Sequence, residues 1–357
     1  MVDKNTTSLC EHCYRHIPAQ VIEKDNKIIM KKTCPSCGEA EYVIENNARF
    51  YKSLEHTYPG FHIPSSIMIE VTDRCNLNCP HCYHEPEAKI VDKPIDTIIN
   101  QLKSWPKNTE IILAGAEPTV RKDLSNLVVS IKKYQKETNQ HGLIMLLTNG
   151  VNFHKKEYVK ELKDAGVDGI MLGLNHYSYQ GQKIHDKQIK GIENCAEVGL
   201  FVYYVGYTLE DLNHLPEVLE EIQHIGKNIL DDRTHFRIRA GSDIGRSPEE
   251  PRWYLSDHVH KVRQICRLKQ YKWEKIAGDD NIYHYMVNIN GLTHRLIQWS
   301  DPKTIDLEEL ITPPWCDFVP GKPITNFLHQ VMLRDAAVNN NMELHDTCPK
   351  RYWFRPS

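Results

Sequence analysis

The chain has 357 residues, 40% of them hydrophobic and 25% charged, with a net charge of −3 at pH 7. Such a chain accommodates one large α/β domain, alone or with a small appendage. The charge argues against a surface that binds nucleic acid throughout, and the absence of an 18-residue apolar run argues against a membrane span.

The N-terminal residues "MVDKNTTSLCEHC" lack the apolar segment of a signal peptide, so we expect a cytoplasmic protein without a membrane partner. Clustered cysteines in a reducing compartment are more often metal ligands than disulfides. Seven of the eleven cysteines form two clusters, within 10–37 and 75–82. The other four are scattered: Cys195, Cys266, Cys316 and Cys348.

The first cluster consists of two Cys-x-x-Cys pairs joined by the alternating stretch "AQVIEKDNKIIMKKT", which predicts a β-hairpin. This spacing is typical of a zinc ribbon. Four thiolates also hold a single rubredoxin-like iron, so zinc would make the unit structural and iron would make it an electron relay. We assign this unit to residues 1–60, with the ligands Cys10, Cys13, Cys34 and Cys37.

Six strand–helix units follow, from "SIMIEVT" at Ser66 to "THFRIRAGSD" and a helix over 256–269. The strands are nearly continuous apolar runs, as in a parallel sheet buried on both faces. Such alternation gives an open doubly wound sheet or a barrel, and periodicity does not choose between them. We assign this α/β domain to residues 61–275.

Residues 276–357 lack this alternation of strands and helices. The stretch "NIYHYMVNINGLTHRLIQWS" predicts a β-hairpin that turns at Asn290-Gly291. A Pro-rich loop and a helix at "ITNFLHQVMLRDAAVNN" come next. We expect a C-terminal extension that covers the substrate side of the α/β domain.

The second cluster, "TDRCNLNCPHCYHEP", directly follows the first strand of the α/β domain. Ligands of α/β folds bind at the carboxyl ends of the strands, so Cys75, Cys79 and Cys82 lie on the expected functional face. Three thiolates leave one iron of a four-iron cluster open, and an open position distinguishes a reactive metal site from a structural one. The alternative is a zinc knuckle completed by His81 or His84.

Cys-x3-Cys-x2-Cys, preceded by "TDR" and containing "NLNCPHCY", resembles the radical S-adenosylmethionine (SAM) superfamily. The resemblance implies a partial (β/α)6 TIM-type barrel, a [4Fe–4S] cluster, SAM, and a reducing partner such as flavodoxin or ferredoxin. In that family the amino and carboxylate groups of SAM chelate the open iron. Reductive cleavage of SAM then gives a 5′-deoxyadenosyl radical that abstracts hydrogen from substrate. The cofactor then supplies the chemistry, and the protein positions and shields it.

The same resemblance implies a SAM site at the ends of the strands. "AGAEPT" resembles the family's Gly-Gly-Glu-Pro motif, in which the backbone and the Glu hold the SAM amino group; Gly115, Glu117 and Pro118 match, and Ala116 departs from it. Further pocket residues are expected where the later strands end: Thr148, Asn149, Asn175 and Arg239.

Other features have two explanations each. Cys266, Cys316 and Cys348 are either ligands of an auxiliary iron–sulfur cluster or buried thiols that act as small hydrophobes. Their spacing differs from that of the auxiliary-cluster (SPASM) extension found in some relatives. His176, Tyr177 and Tyr179 either face substrate or pack. The segment 233–275 has eleven basic and five acidic residues, which indicates either a solvated helix face or an anionic partner.

We therefore expect an enzyme that abstracts hydrogen from an anionic small molecule, for rearrangement or bond formation in a biosynthetic pathway. The alternative substrate is a nucleotide or a modified base in nucleic acid. A non-enzymatic zinc-ribbon binding module is disfavoured by the intact "GAEP" motif. A methyltransferase using SAM as a simple electrophile would not need an open cluster.

Overall fold

A computed structural model gives the architecture of the chain. It describes residues 2–10, 12–13, 15–54, 66–80, 82, 92–103, 107–209, 211–240, 253–276, 284–298, 302–304 and 306. Several predicted features lie outside these residues: His81, His84, Cys316, Cys348 and the C-terminal helix. Most of the C-terminal extension (276–357), which was expected to cover the substrate side, also lies outside them.

The N-terminal unit is a four-stranded antiparallel sheet in the order β1-β2-β3-β4. The predicted hairpin is confirmed as β2 and β3, which turn at Asp25 and Asn26 with φ of 52° and 60°. Two consecutive positive φ angles are typical of the type I′ turn that matches the twist of paired strands. The outer strands were not predicted. The bounds are β1 Asp3–Leu9, β2 His16–Lys24, β3 Lys27–Cys34 and β4 Gly38–Glu45.

The second sheet has nine strands in the order β11-β12-β13-β10-β9-β8-β7-β6-β5. Strands β5 to β10 are mutually parallel and adjacent in chain order, so the predicted α/β fold with six β/α units is confirmed as a partial barrel. Their bounds are β5 Ser66–Thr72, β6 Glu110–Gly115, β7 Ile144–Thr148, β8 Gly169–Gly173, β9 Phe201–Leu209 and β10 His235–Ala240.

The predicted C-terminal hairpin is confirmed, and it extends the barrel sheet. Its strands are β12 (His284–Ile289) and β13 (Leu292–Ile297), with φ of 56° at Asn290 and 91° at Gly291 in the turn. Strand β13 pairs in parallel with β10, and β12 pairs with the short β11 (Trp273–Lys275). The hairpin thus covers the edge of β10, which would otherwise present unpaired backbone groups.

The helices that follow β5 in the chain pack on one face of this sheet, whereas the short helix before β5 packs on the N-terminal sheet. Glycines with positive φ, Gly166 and Gly199, end α4 and α5, as is usual at helix C-termini. The last helix begins and ends one residue before the predicted bounds. The helices are α1 Ala48–Ser53, α2 Ile95–Leu102, α3 Leu124–Glu137, α4 Lys156–Ala165, α5 Gln182–Val198, α6 Leu215–Asn228 and α7 Leu255–Leu268.

Alternation along the strands separates two apolar layers. The main core lies between sheet and helices and includes Ile67, Ile69 and Val71 of β5. A smaller group on the opposite, interior face includes Met145 and Met171. Because successive strand residues point to opposite faces, the residues between the main-core positions line the interior of the barrel.

The N-terminal unit is bonded to the barrel through the end of β4. The buried carboxylate of Glu45 accepts hydrogen bonds from Ser256 N and Ser256 Oγ at the first turn of α7. Asn46 Nδ2 also donates to Asp257 Oδ2 at 3.0 Å. Burial raises the pKa of Glu45, against the effect of these donors. These bonds fix the ribbon sheet against α7.

In the described part of the chain, no helix is long and apolar enough to cross a membrane. The expected cytoplasmic location stays a prediction.

Candidate active site

The second cysteine cluster forms a loop that is anchored at the end of β5. Thr72 Oγ1 donates to Asp92 Oδ1, and Arg74 forms a bidentate ion pair with the same carboxylate. Thr72 Oγ1 also accepts from Arg74 N at 3.2 Å. Asp92 lies just before α2, so these contacts tie the beginning of the cysteine loop to the segment that leads into that helix.

The three thiols are half-buried, and two of them accept hydrogen bonds. Leu77 N donates to Cys75 Sγ at 3.3 Å, and Gln180 Nε2 donates to Cys79 Sγ at 3.0 Å. Burial raises the pKa of Cys75 to about 12. Cys82 N donates to Cys79 O at 3.3 Å, which closes a turn between the second and third cysteine.

The glycine at the end of β6 is required by its proximity to β5. Gly115 has a φ of +121°, and a Cβ there would lie 2.2 Å from Thr72 O. Ala116 does not have a positive φ, which explains why a side chain is tolerated at the position where this sequence departs from the motif. Ala116 N donates to Thr72 O and Glu117 N to Arg74 O, both at 3.0 Å.

The carboxylate of Glu117 is fully buried and hydrogen-bonded by the protein itself. Its Oε1 accepts from Thr119 N at 3.0 Å and from Thr148 Oγ1 at 2.7 Å, and its Oε2 accepts from Asn149 N at 2.6 Å. Burial raises the pKa of Glu117, whereas these donors act in the opposite direction. In this structure the carboxylate joins the end of β7 to the end of β6; its expected contact with SAM stays a prediction.

Asn149 links β7 to the cysteine loop. Its Nδ2 donates to Asn76 Oδ1 at 2.8 Å and lies 3.8 Å from Cys75 Sγ. Gln188 Nε2, from α5, donates to Asn149 O at 2.6 Å and to Gly173 O at 3.1 Å. The loops after β5, β6 and β7 therefore form one hydrogen-bonded group that contains five predicted site residues besides the cysteines: Gly115, Glu117, Pro118, Thr148 and Asn149.

The last two predicted pocket residues meet at a third residue. Asn175, with a φ of 57°, accepts through Oδ1 from Thr208 N at 3.0 Å. Arg239 Nε donates to Thr208 Oγ1. Thr208 is buried near the end of β9, so it joins the ends of β8 and β10 across the strand between them.

The aromatic residues after β8 pack around two histidines. The ring centroids of His176 and His214 are 4.2 Å apart, and His176 Nε2 lies 2.8 Å from Glu217 Oε2. Tyr177 and Tyr179 contact the His176 ring at 4.1 and 6.5 Å between centroids. Burial lowers the pKa of His176, against the effect of Glu217.

The four cysteines of the N-terminal unit come together at one end of its sheet. Their sulfur atoms all lie within 4.8 Å of one another, with Cys13 and Cys34 at 3.6 Å. Cys10 and Cys34 are buried. A hydrogen bond from the Ser36 backbone lowers the pKa of Cys34 to about 7, which favours the thiolate form that metals bind. Such a four-thiolate set fits zinc or a single iron.

The basic segment does not form one surface. Phe236 and Ile238 belong to the main core, so Arg237 and Arg239 lie on the interior face of β10. The basic residues of α7 lie on its solvent side, among them the exposed Arg263 and Arg267. The remaining potential auxiliary-cluster ligand in the described residues, Cys266, is buried in the main core, and burial raises its pKa to about 11.

Three important residues were missed in the sequence. Asp92, Gln180 and Thr208 contact the cysteine loop or the pocket residues from segments without any motif. A polar residue at the end of a buried strand was the available signal for Thr208. Nothing in the sequence distinguished Asp92 or Gln180 from ordinary loop residues.

We predict that Glu117→Gln destabilises the protein by about 1–3 kcal/mol, because an amide cannot accept on both sides and leaves a buried donor unpaired. Thermal unfolding of the full chain measures the loss. Glu110→Gln is the control, because Glu110 begins β6, the strand that leads to Glu117, and lacks such contacts. Equal stability of the two variants would contradict a joining role for Glu117.

Residues 69–244 match the radical SAM superfamily, and residues 2–46 match the N-terminal zinc ribbon domain of HMPTM. A similar curated protein is "7,8-dihydro-6-hydroxymethylpterin dimethyltransferase" of Methanocaldococcus jannaschii, at 33% identity over 56% of this chain and 45% of that protein. A "Probable GTP 3',8-cyclase" of Methanococcus maripaludis is 31% identical over 45% of this chain and 56% of its own length.

The chain thus spans about half the length of these curated relatives. Among solved structures, Streptococcus suis SuiB bound to precursor peptide SuiA aligns with a TM-score of 0.46 and 17% identity, covering 71% of this chain and 52% of that one. The superfamily match implies a [4Fe–4S] cluster and SAM as cofactors, and the four N-terminal cysteines support a zinc or iron site. The chain carries a radical SAM domain preceded by an N-terminal zinc ribbon.

Proposed function

We propose that this protein is a radical SAM enzyme that abstracts hydrogen from a small anionic substrate in a biosynthetic pathway. The observation that carries the proposal is the hydrogen-bonded group at the carboxyl ends of β5, β6 and β7, which holds the three-cysteine loop against the other motif residues. When bound at this loop, the cluster and SAM supply a 5′-deoxyadenosyl radical. A reduced flavodoxin or ferredoxin is the proposed electron source.

Cys75, Cys79 and Cys82 fit a cluster better than a single ion. Within the described residues, sulfur atoms that converge within 4.8 Å occur in the N-terminal unit and not among these three. A four-iron cluster takes each cysteine on a different iron, so it suits thiols that are more widely spaced. The donors Leu77 N and Gln180 Nε2 would stabilise the negative charge on the ligating sulfurs.

The residues proposed to hold SAM fall into two groups. Gly115, Glu117 and Pro118 shape the end of β6, next to Thr148 and Asn149, and their bonds to the cysteine loop fix the spacing between the cluster and the pocket. The second group, Asn175 and Arg239, is joined through Thr208 two strands away. We propose that the first group holds the methionine part of SAM and the second its ribose or the substrate.

Arginines on the interior face support an anionic substrate. Arg295 of β13 is the register neighbour of Arg237, and Arg239 follows two residues later on the same face. Burial lowers the pKa of Arg237 to about 10, which leaves the guanidinium charged at neutral pH. Its guanidinium carbon lies 3.7 Å from the Tyr204 ring centroid, a cation–π contact.

The two relatives suggest a more specific substrate class. By their names, one acts on a pterin and the other on GTP, and both compounds contain a fused pyrimidine ring. The interior arginines favour the phosphorylated compound, since guanidinium groups bind phosphate through paired hydrogen bonds. A nucleotide is thus the favoured substrate. Nucleic acid is less favoured, because the basic residues of α7 and those of β10 lie on opposite faces of the sheet.

We expect anaerobically reconstituted, reduced protein to release 5′-deoxyadenosine from SAM. The Cys75/Cys79/Cys82→Ala variant should release none, while a Cys195→Ala variant, which alters a buried thiol outside both clusters, should match the wild type. Chromatography quantifies the product, and iron and zinc are counted in the same samples. A loaded, reducible cluster that gives no product with GTP or hydroxymethyldihydropterin present would contradict the proposal.

We expect Gln180→Leu to lower the reduction potential of the cluster by about 20–60 mV, the equivalent of one neutral hydrogen bond in a one-electron couple. Losing a donor to Cys79 removes stabilisation from the more negative, reduced state. A redox titration followed by electron paramagnetic resonance (EPR) measures the shift. Gln182→Leu is the matched control, because among the described residues the side chain of Gln182 bonds Asp186, on the exposed side of α5. An unchanged potential in Gln180→Leu would refute a ligand role for Cys79 or its bond to Gln180.

We expect Arg295→Gln to weaken GTP binding roughly ten- to a hundredfold, as the loss of a charged hydrogen bond would. Binding of uncharged 6-hydroxymethyl-7,8-dihydropterin should not change. Anaerobic calorimetry in the presence of SAM measures both, with Arg233→Gln as control, since Arg233 is exposed and paired with Asp231. If the wild type binds neither compound, the fused-pyrimidine substrate class is wrong.

A further inference from the structure

A second group of metal-ligating side chains lies between the loop after β8 and the start of α6. One ligand atom each from His176, His214 and Glu217 lies within 4.8 Å of the others. Among the described residues, this arrangement is matched only by the four ribbon cysteines. Unlike those cysteines, the three residues belong to no motif that the sequence analysis identified as a metal site.

We infer that His176, His214 and Glu217 bind one divalent transition-metal ion of the zinc class. Two imidazoles and one carboxylate are a common ligand set for zinc and for iron(II). Three protein ligands leave at least one coordination position for water or for an oxygen of a bound ligand. The inference concerns binding alone and does not depend on the radical chemistry.

The distances suit such an ion with little rearrangement. Ligand bonds of about 2.0–2.2 Å in a tetrahedron hold the ligand atoms roughly 3.3–3.6 Å apart. His176 Nε2 and Glu217 Oε2 are 2.8 Å apart, and the widest separation in the group is at most 4.8 Å. Small side-chain rotations would bring all three to the required spacing.

The His176 ring is already oriented for this role. Its Nδ1 is 2.8 Å from Ser178 Oγ, which leaves Nε2 directed at Glu217. A metal-ligating histidine usually donates its other ring N–H to such a partner. Nε2 ligation therefore takes the tautomer in which Nδ1–H donates to Ser178 Oγ, and it replaces the 3.4 Å bond that Nδ1 accepts from Ser178 N. His176 is buried, so the imidazole has few alternative orientations.

A simple His176–Glu217 ion pair explains only part of the group. It gives no role to His214, whose ring nitrogens have no hydrogen-bond partner among the described residues although the ring stacks on His176. A bound cation would use a nitrogen of each ring and the carboxylate together. His176 also lies on the loop that carries Gln180, and Gln180 bonds Cys79. A metal ion bound by this group would thus contact the loop that borders the candidate active site.

Cobalt(II) binding to the zinc-loaded holoprotein tests the inference. Zinc in the ribbon and an oxidised [4Fe–4S] cluster are both diamagnetic, so an EPR signal from high-spin cobalt reports only newly filled sites. The protein is first treated with a mild chelator to remove weakly bound metal, and is then titrated with cobalt under anaerobic conditions. Cobalt per chain is counted after gel filtration.

We expect one cobalt per chain, with affinity at least about tenfold lower in both His214→Ala and Glu217→Gln. Both side chains are accessible to solvent, so these variants should fold, and His224→Ala, an exposed histidine on the same helix, should bind like the wild type. Equal cobalt binding by wild type and Glu217→Gln, or none by the wild type, would overturn the inference. Loss of cluster with unchanged cobalt binding would count against the proposed function alone.

Discussion

The arrangement of the site depends on one buried carboxylate. Glu117 accepts hydrogen bonds from Thr148 and Asn149 at the end of β7, while its own backbone is bonded to the cysteine loop after β5. Three strand ends, brought side by side by the parallel sheet, are thereby held at fixed spacing. A buried carboxylate is unfavourable unless its oxygens are satisfied, and here both are. The motif residue therefore stabilises the geometry on which any cofactor at this edge would depend.

A second constraint is the alternation of side chains along the strands. On β10, the apolar residues Phe236 and Ile238 pack under the helices, so the arginines between them must point to the interior. A linear charge count over residues 233–275 merges this interior charge with the solvated face of α7. The excess of positive charge was real, but its division between two faces became visible only once the strand and the helix were placed on the sheet.

The sequence predicted those parts of the fold and site that depend on local pattern. Alternation and turn residues identified the hairpins at Asp25-Asn26 and Asn290-Gly291, and apolar runs identified the six parallel strands. Strand β1 was missed because polar residues dominate it, and β4 because it contains three glutamates. The pairing of β13 with β10 depends on contacts far apart in sequence. Asp92 and Gln180 act through tertiary contacts alone, which no spacing rule encodes.

The loop after β8 connects the histidine group to the cysteine loop. It holds His176 against Glu217 of α6 at one end, and at the other end Gln180 donates to Cys79. Only a single short turn separates His176 from Gln180, so a shift of one would move the other. A ligand that rearranged the histidine group would thereby alter the hydrogen bond on the cysteine sulfur. Because the energy of such a bond depends steeply on distance and angle, occupancy at one end would be coupled to electron affinity at the other.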